Sequence, residues 1–235
     1  FENVHIPPSP GDAGSAVGAA QYLYYVYHKN SKNTSDNTQL IQENVYVGPS
    51  YTNEEIKAFL DSKNISYESL NNTQLLHTTA QLIADGNVVG WYQGKMEWGP
   101  RALGNRSILA DPRRADMKDI LNAKIKHRES FRPFAPSIME EFASEYFEMD
   151  IPSPYMLMVA PVKKPKEIPA VTHVDGTGRL QTVSKENNEL YYNLINEFYK
   201  ITGVPVIINT SMNVMGEPIV NTPEQAYSMI VKTDM

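Results

Sequence analysis

The sequence contains no cysteine. That excludes a disulfide scaffold, a thiol nucleophile, thiolate zinc and a cysteine-ligated iron–sulfur cluster, and it fits a reducing cytoplasm. No run of about 18 apolar residues occurs, so no membrane-spanning helix is expected. The chain opens at Phe1 with no initiator Met and no signal-peptide pattern, and so reads as part of something longer. Positive charge is short overall: 21 Lys and Arg stand against 27 Asp and Glu, a net −6. A whole-surface nucleic-acid binder is not expected at that balance. There is no internal repeat and no GxxxxGK[ST] phosphate loop. What is present is ordinary: 235 residues, 41% hydrophobic, with 13 Gly and 16 Pro. That is a soluble globular composition, long enough for a core of its own and for one domain or two.

The shortage of positive charge is uneven. Residues 95–132 hold ten Lys or Arg against five Asp or Glu, a +5 island on a −11 background. Six of those ten are Arg, several beside Gly or Pro. A planar guanidinium suits bidentate phosphate contacts better than an ammonium does. A localised anion site is expected there, with a solvated face of ion pairs as the plainer alternative.

Along the chain, Pro7-Pro8-Ser9-Pro10-Gly11 reads as a rigid loop, and Asp12 as the N-cap of a helix over 13–28. Gly14, Gly18, Ala19 and Ala20 give that helix a small-residue face for close packing. Residues 31–38 (SKNTSDNT) include nothing apolar and read as a linker. The expected division is therefore 1–36, the end of a preceding domain, and 37–235, one α/β domain with a mixed sheet. Helices are expected over 53–62, 72–85, 115–127, 140–147, 187–202 and 223–232. Strands are expected over 45–47, 88–92, 107–110, 134–139, 156–162, 179–183 and 204–209.

Four stretches carry chemistry. In residues 90–113 (GWYQGKMEWGPRALGNRSILADPR) a strand leads into a Gly-rich loop bearing Lys95, Glu97, Arg101 and Arg106. Ligands of open α/β sheets gather at the carboxyl ends of strands. Gly94, Gly99 and Gly104 would let backbone amides reach such a ligand. Alternatively, Arg101 and Arg106 pair with Glu97 and Asp111 to fix the loop. In residues 124–136 (KIKHRESFRPFAP), Lys124 and Arg128 fall four apart on a helix face, a repulsion that a bound anion relieves. Lys126 and Arg132 add to the cluster; a solvent-facing helix end is the alternative. Residues 173–183 (HVDGTGRLQTV) hold His173, Asp175, Thr177, Arg179 and Gln181. His173 and Asp175 fit either an acid/base with its orienter or a hydrogen-bonded turn. In residues 204–213 (VPVIINTSMN) an apolar strand ends in Asn209, Thr210, Ser211, Met212 and Asn213. Those polar groups fit a nucleotide or carbonyl ligand, or a capped turn.

Together these stretches, in this order and with PYM at 154–156 and EPIVNTPEQA at 217–226, resemble the C-terminal domain of the O-carbamoyltransferase family of nodulation and antibiotic proteins (NodU- and CmcH-like). The resemblance runs from about residue 90 to 226, and PPSPGDAGSAVGAA resembles the end of the family's N-terminal domain. It implies an α/β domain with a YrdC-like twisted mixed sheet and flanking helices. It implies that carbamoyl phosphate and ATP, with Mg2+, give a carbamoyl adenylate. An actin/sugar-kinase-like N-terminal domain, absent from this chain and holding a divalent metal such as iron, would pass the carbamoyl group to a hydroxyl of a small-molecule or oligosaccharide acceptor.

The same resemblance makes Lys124, Lys126, Arg128 and Arg132 contacts for carbamoyl phosphate and phosphate. Arg179 and Ser211 would hold ATP or the adenylate, with Asn213 nearby and Arg101 and Arg106 in support. Lys124, Arg128, Arg179 and Ser211 form the expected catalytic set, and His173, Asp175, Thr177 and Asn209 complete the substrate-binding set. Asp12 matches a metal-ligating Asp whose His partners would lie upstream. The expected location is cytoplasmic, with the N-terminal domain as partner and neither membrane nor nucleic acid. The alternative is a YrdC-like RNA-binding or nucleotide-binding regulatory module without turnover. Met212 stands where the family usually has an aromatic, and Lys95 where Arg is commoner. The chain ends at Met235 where the family usually continues, so a sheet edge is expected to be open.

Overall fold

Local sequence signals set most element ends in the computed structural model, which describes residues 6–28, 44–233 and 235. In chain order the elements are α1 (Asp12–His28), α2 (Asn53–Ser62), α3 (Asn72–Ala84), β1 (Val89–Tyr92) and β2 (Arg106–Ala110). Next come α4 (Met117–Ile120), which runs into a π-helical turn (Leu121–Lys126), then β3 (Ala135–Met139), α5 (Ala143–Tyr146) and β4 (Met158–Pro161). The chain continues with β5 (Thr177–Val183), α6 (Glu189–Thr202), β6 (Val206–Ser211) and α7 (Pro223–Lys232). Three helices open with a full capping box: Thr52 with Glu55, Asn71 with Gln74, and Thr222 with Gln225. Each box satisfies two backbone donors that a helix start otherwise leaves unpaired. Helix α6 starts at the cap Asn188 and stops at Gly203, whose φ of +73° turns the chain out of the helix.

The sheet has six strands in the order β1-β2-β6-β3-β5-β4. Only β3 and β5 run parallel; every other neighbouring pair is antiparallel. Strands β2 and β3 are buried throughout, as their central places in the sheet require. Against the sheet pack α3 and α6. Leu76, Thr79, Ala80 and Ile83 of α3 and Tyr191, Leu194, Ile195 and Phe198 of α6 are buried at the spacing i, i+3, i+4, i+7. Burying each large apolar side chain contributes about 1.5–3 kcal/mol, so this layer is a principal source of stability.

Three expectations change and one is not reached. The linker over 31–38 and the division at 36/37 lie outside the described residues. Asp12 is the first residue of α1 rather than its cap, and of the expected small-residue face only Gly14 is close-packed among the described residues, against the Ser9 carbonyl. The segment at 45–47 is not a strand: it makes one bridge, Tyr46 to Glu97, with hydrogen bonds from Trp98 N to Val45 O and from Gly48 N to Met96 O. The single helix expected over 115–127 is one α-turn followed by a π-turn, which ends in His127 at φ +49°. The wider π-turn removes the four-residue face that would have joined Lys124 to Arg128.

Gly104 shows how tightly the sheet and its loop fit. Its φ is +106°, and an added Cβ would lie 2.3 Å from the Tyr191 ring. Gly104→Ala is expected to destabilise the protein by about 3 kcal/mol, combining left-handed strain with overpacking. Gly203→Ala, where the added Cβ meets nothing, should cost about 1–2 kcal/mol. Denaturant titration of both variants checks this, and equal losses would contradict the packing argument.

Candidate functional site

The four chemistry-bearing stretches meet at one end of the sheet. Register fixes this: Tyr92 faces Arg106, Ser107 faces Ser211, Ala135 faces Asn209, and Ser137 faces Gln181. Strands β1 and β6 arrive by their carboxyl ends, as expected. Because the sheet is mostly antiparallel, β2, β3 and β5 enter the same site by their amino ends.

The loop between β1 and β2 folds around a carboxylate of its own. Glu97 is buried, and its Oε1 accepts from the backbone N–H groups of Leu103 and Asn105 at 2.7 Å and Arg106 at 3.2 Å. Of the three glycine amides expected to face a ligand, that of Gly104 is likewise taken up internally, donating to Ser107 Oγ at 3.0 Å. Arg106 is also corrected. It is fully buried and donates to the carbonyls of Gln93, Asn105, Pro49 and Gly94, with its guanidinium 3.7 Å from the Tyr92 ring centroid. It fixes the loop, its guanidinium committed to main-chain carbonyls. The pairing considered for the loop arginines is not the one formed: Asp111 binds Arg113, at 2.6 Å. Beneath the loop, Asn209 Nδ2 donates to Gln181 Oε1 and Ala102 O, while Gln181 Nε2 donates to Leu103 O. Asn209 thus ties loop to sheet from inside the core and does not present its donor at the strand mouth.

Arg101, at the crown of this loop, stands with Arg179 of β5 and Arg128. Burial, reinforced by the charges of Arg101 and Arg128, pushes the Arg179 pKa down to about 10. Arg128 is depressed by burial and then by Arg132. Among the described residues neither Arg101 nor Arg179 pairs with a carboxylate, and the Nε of each is buried without a partner. Arg128 is aimed by neutral groups: its Nε donates to Asn122 Oδ1 at 2.6 Å, and it lies 4.7 Å from the Phe134 ring centroid. Arg132 is at the exposed rim, 3.9 Å from Glu129. Glu129 offsets Arg132 and, more weakly, Arg128; the excess of converging cations that remains, with Arg101 and Arg179, is the electrostatic form of an anion site.

Lys126 is buried beside them. Its Nζ donates to Ser211 O, to Asn213 O at 2.8 Å and to Asn213 Oδ1 at 2.9 Å, with Ser211 Oγ at 3.5 Å. Burial, followed by Arg128, pushes its pKa down to about 7. Three acceptors call for three N–H donors, which only the ammonium has. Ser211 Oγ donates to Asn213 Oδ1 at 2.6 Å, so one network joins the end of β6 to the π-turn. Lys124, two residues earlier, is exposed and no contact ties it to this cluster.

His173 and Asp175 bond to Thr177 rather than to each other. Asp175 Oδ1 accepts from Thr177 N and Oγ1, and His173 Nδ1 is 3.1 Å from Thr177 Oγ1. This is the turn alternative. Burial lowers the His173 pKa, Asp175 opposing and Arg179 reinforcing, so the ring beside the arginines favours its neutral form. Asp12 is exposed, and among the described residues no three His, Asp or Glu side chains come together to hold a metal. Sequence reasoning missed Asn122, a buried amide on an otherwise apolar face, and the role of Glu97.

A family model described as "Carbamoyltransferase C-terminus" matches residues 80–235. The chain belongs to the carbamoyltransferase C-terminal family. This carbamoyltransferase domain is 44% identical to nodulation protein NolNO of Sinorhizobium fredii, over all of this chain and 35% of that protein. It is 37% identical to nodulation protein U of Rhizobium fredii, over 92% of this chain and 34% of that protein. It spans less than half the length of the curated relatives it matches. Its fold is similar to Sua5 of P. abyssi complexed with L-threonine (TM-score 0.52, 16% identity, 71% of this chain and 47% of that one). It is similar also to HypF of T. kodakarensis (TM-score 0.52, 18% identity, 72% and 21%). The YrdC-like α/β fold expected from sequence is the fold observed.

If Glu97 organises the loop through its charge, Glu97→Gln should cost about 1–3 kcal/mol, the difference between charge-assisted and neutral hydrogen bonds to three amides. Glu97→Ala, which strands three buried donors, should cost more. Denaturant titration checks the order; a neutral Glu97→Ala would contradict it.

Proposed function

We propose that this domain binds ATP and carbamoyl phosphate and forms carbamoyl adenylate, with the carbamoyl group then passing to a substrate hydroxyl elsewhere in the full-length protein. The observation that carries this reading is the convergence of Arg101, Arg128 and Arg179, none of which forms an ion pair with a carboxylate among the described residues, although Glu129 acts on Arg128 from the rim. Two phosphorylated substrates bring several negative charges into one cleft, and uncompensated guanidinium groups are the complement. Family membership supports carbamoyl chemistry, and the fold accommodates it.

The reaction balances in two steps. Water takes the phosphoryl group from carbamoyl phosphate, leaving carbamate and inorganic phosphate. A carbamate oxygen then bonds to the α-phosphorus of ATP as the bond to the β-phosphate oxygen breaks and pyrophosphate leaves. No covalent protein nucleophile is needed, in keeping with a cysteine-free site. Phosphoryl chemistry of this kind depends on positioning and on charge placed where it develops. Arg101 and Arg179 face that charge, Arg128 is aimed at it by Asn122, and Lys126 holds Ser211 and Asn213 in place. The residues facing the cleft are cations, hydroxyls and amides, so they do not form a magnesium site of their own, and no step is assigned to a metal.

The full-length protein should release pyrophosphate only when both ATP and carbamoyl phosphate are present. Arg179→Gln should lower kcat/KM by about 100-fold or more, whereas the exposed Lys124→Ala should stay within about twofold. A folded wild-type protein with no carbamoyl-phosphate-dependent release would overturn the reading. Lys126 gives a pH signature. Its ammonium is the form that favours a bound anion, so ATP affinity should fall as pH rises through about 7. ATP binding above that pH should take up protons, measurable by calorimetry in buffers of different ionisation enthalpy. Lys126→Met should abolish the uptake, and unchanged uptake would contradict the assignment.

A further inference from the structure

Phe131 is 75% exposed, yet it sits on an anchored turn three residues after Arg128. Arg132 N donates to Glu129 O, closing a turn with Ser130 and Phe131 at its tip. Asn122, 1% exposed, donates from Nδ2 to Ser130 O at 3.3 Å and to Arg132 O at 3.0 Å, pinning the carbonyls on both sides of Phe131. The Oδ1 of the same amide takes Arg128 Nε. One buried side chain therefore sets both the cation and the exposed ring. A single exposed Phe is unremarkable on a loose loop. Anchored through Asn122, which also holds Arg128, it pairs an apolar face with a cation of the cleft, the combination that recognises a nucleotide by base stacking and charge.

We propose that Phe131 is the stacking platform for the base of the nucleotide whose phosphates Arg101, Arg128 and Arg179 receive, an inference that rests on the ATP reading above. Asn122 is the positioning residue that couples platform to cation. Stacking tolerates any base, so Phe131 supplies affinity for nucleosides over bare polyphosphate rather than choice among bases.

The test compares ATP with inorganic tripolyphosphate on the full-length protein by calorimetry. Phe131→Ala should weaken ATP about 5- to 100-fold and leave tripolyphosphate within about twofold, which also certifies a folded cleft. Phe131→Trp should retain ATP affinity, and the emission it adds should be quenched by ATP and not by tripolyphosphate. The platform is overturned if Phe131→Ala binds ATP as the wild type does, if it loses both ligands equally, or if the wild type binds both equally well. A wild type that binds neither ligand overturns the ATP reading along with the platform; a wild type that binds ATP normally, beside an unaffected Phe131→Ala, overturns the platform alone.

Discussion

A single buried carboxylate organises this end of the molecule. Glu97 draws three backbone amides onto one oxygen and so closes the loop that carries Arg101. Buried charge is costly unless it is paired or richly hydrogen-bonded; Glu97 Oε1 meets that condition with three main-chain donors, while its Oε2 is buried without a partner among the described residues. Arg106 performs the complementary task with four main-chain carbonyls. One anion and one cation thus commit most of their hydrogen-bonding capacity to the loop itself, with Glu97 Oε2 and Arg106 Nε left over. Among the described residues that leaves Arg101, Arg128 and Arg179 with no ion pair, Glu129 acting on Arg128 only from the rim, which is the electrostatic condition an anionic substrate requires.

The antiparallel sheet explains why residues so far apart in sequence share this site. A parallel α/β sheet delivers its functional loops from carboxyl ends alone. Here the alternation of direction brings two strands out at the site and three strands in. Arg128 and Arg179 precede or begin strands β3 and β5, whereas Ser211 ends β6. The Lys126 network then fastens the exit of β6 to the entrance of β3, and the Asn209–Gln181 pair fastens the loop to the sheet below. Of the three arginines only Arg179 is on a strand, where geometry is held best; Arg101 depends on the Glu97-closed loop and Arg128 on Asn122.

Much of this was legible in the residues. Helix starts with Thr or Asn followed three residues later by Glu or Gln were readable as caps, and α2 and α7 have the expected bounds. The basic island marked the cleft, and Arg128, Arg179 and Ser211 all lie there. Other features depend on geometry that periodicity does not encode. A π-turn has no distinctive composition, so the Lys124–Arg128 face looked sound until the wider turn and His127 removed it. Arg101 and Arg106 are five residues apart with similar neighbours, and only the fold decides that one is buried under carbonyls and the other left unpaired. His173 and Asp175 have the composition of a dyad and the spacing of a turn; Thr177 settles it by accepting from one side and donating to the other.

The central claim is that the unpaired arginines serve carbamoyl activation by ATP. Phosphorus NMR of the full-length protein with ATP and carbamoyl phosphate tests it most directly, because each phosphorus product has its own resonance. The account predicts inorganic phosphate and pyrophosphate appearing in equal amounts, with both substrates required. Formation of ADP in place of pyrophosphate, or pyrophosphate released at the same rate without carbamoyl phosphate, would contradict it.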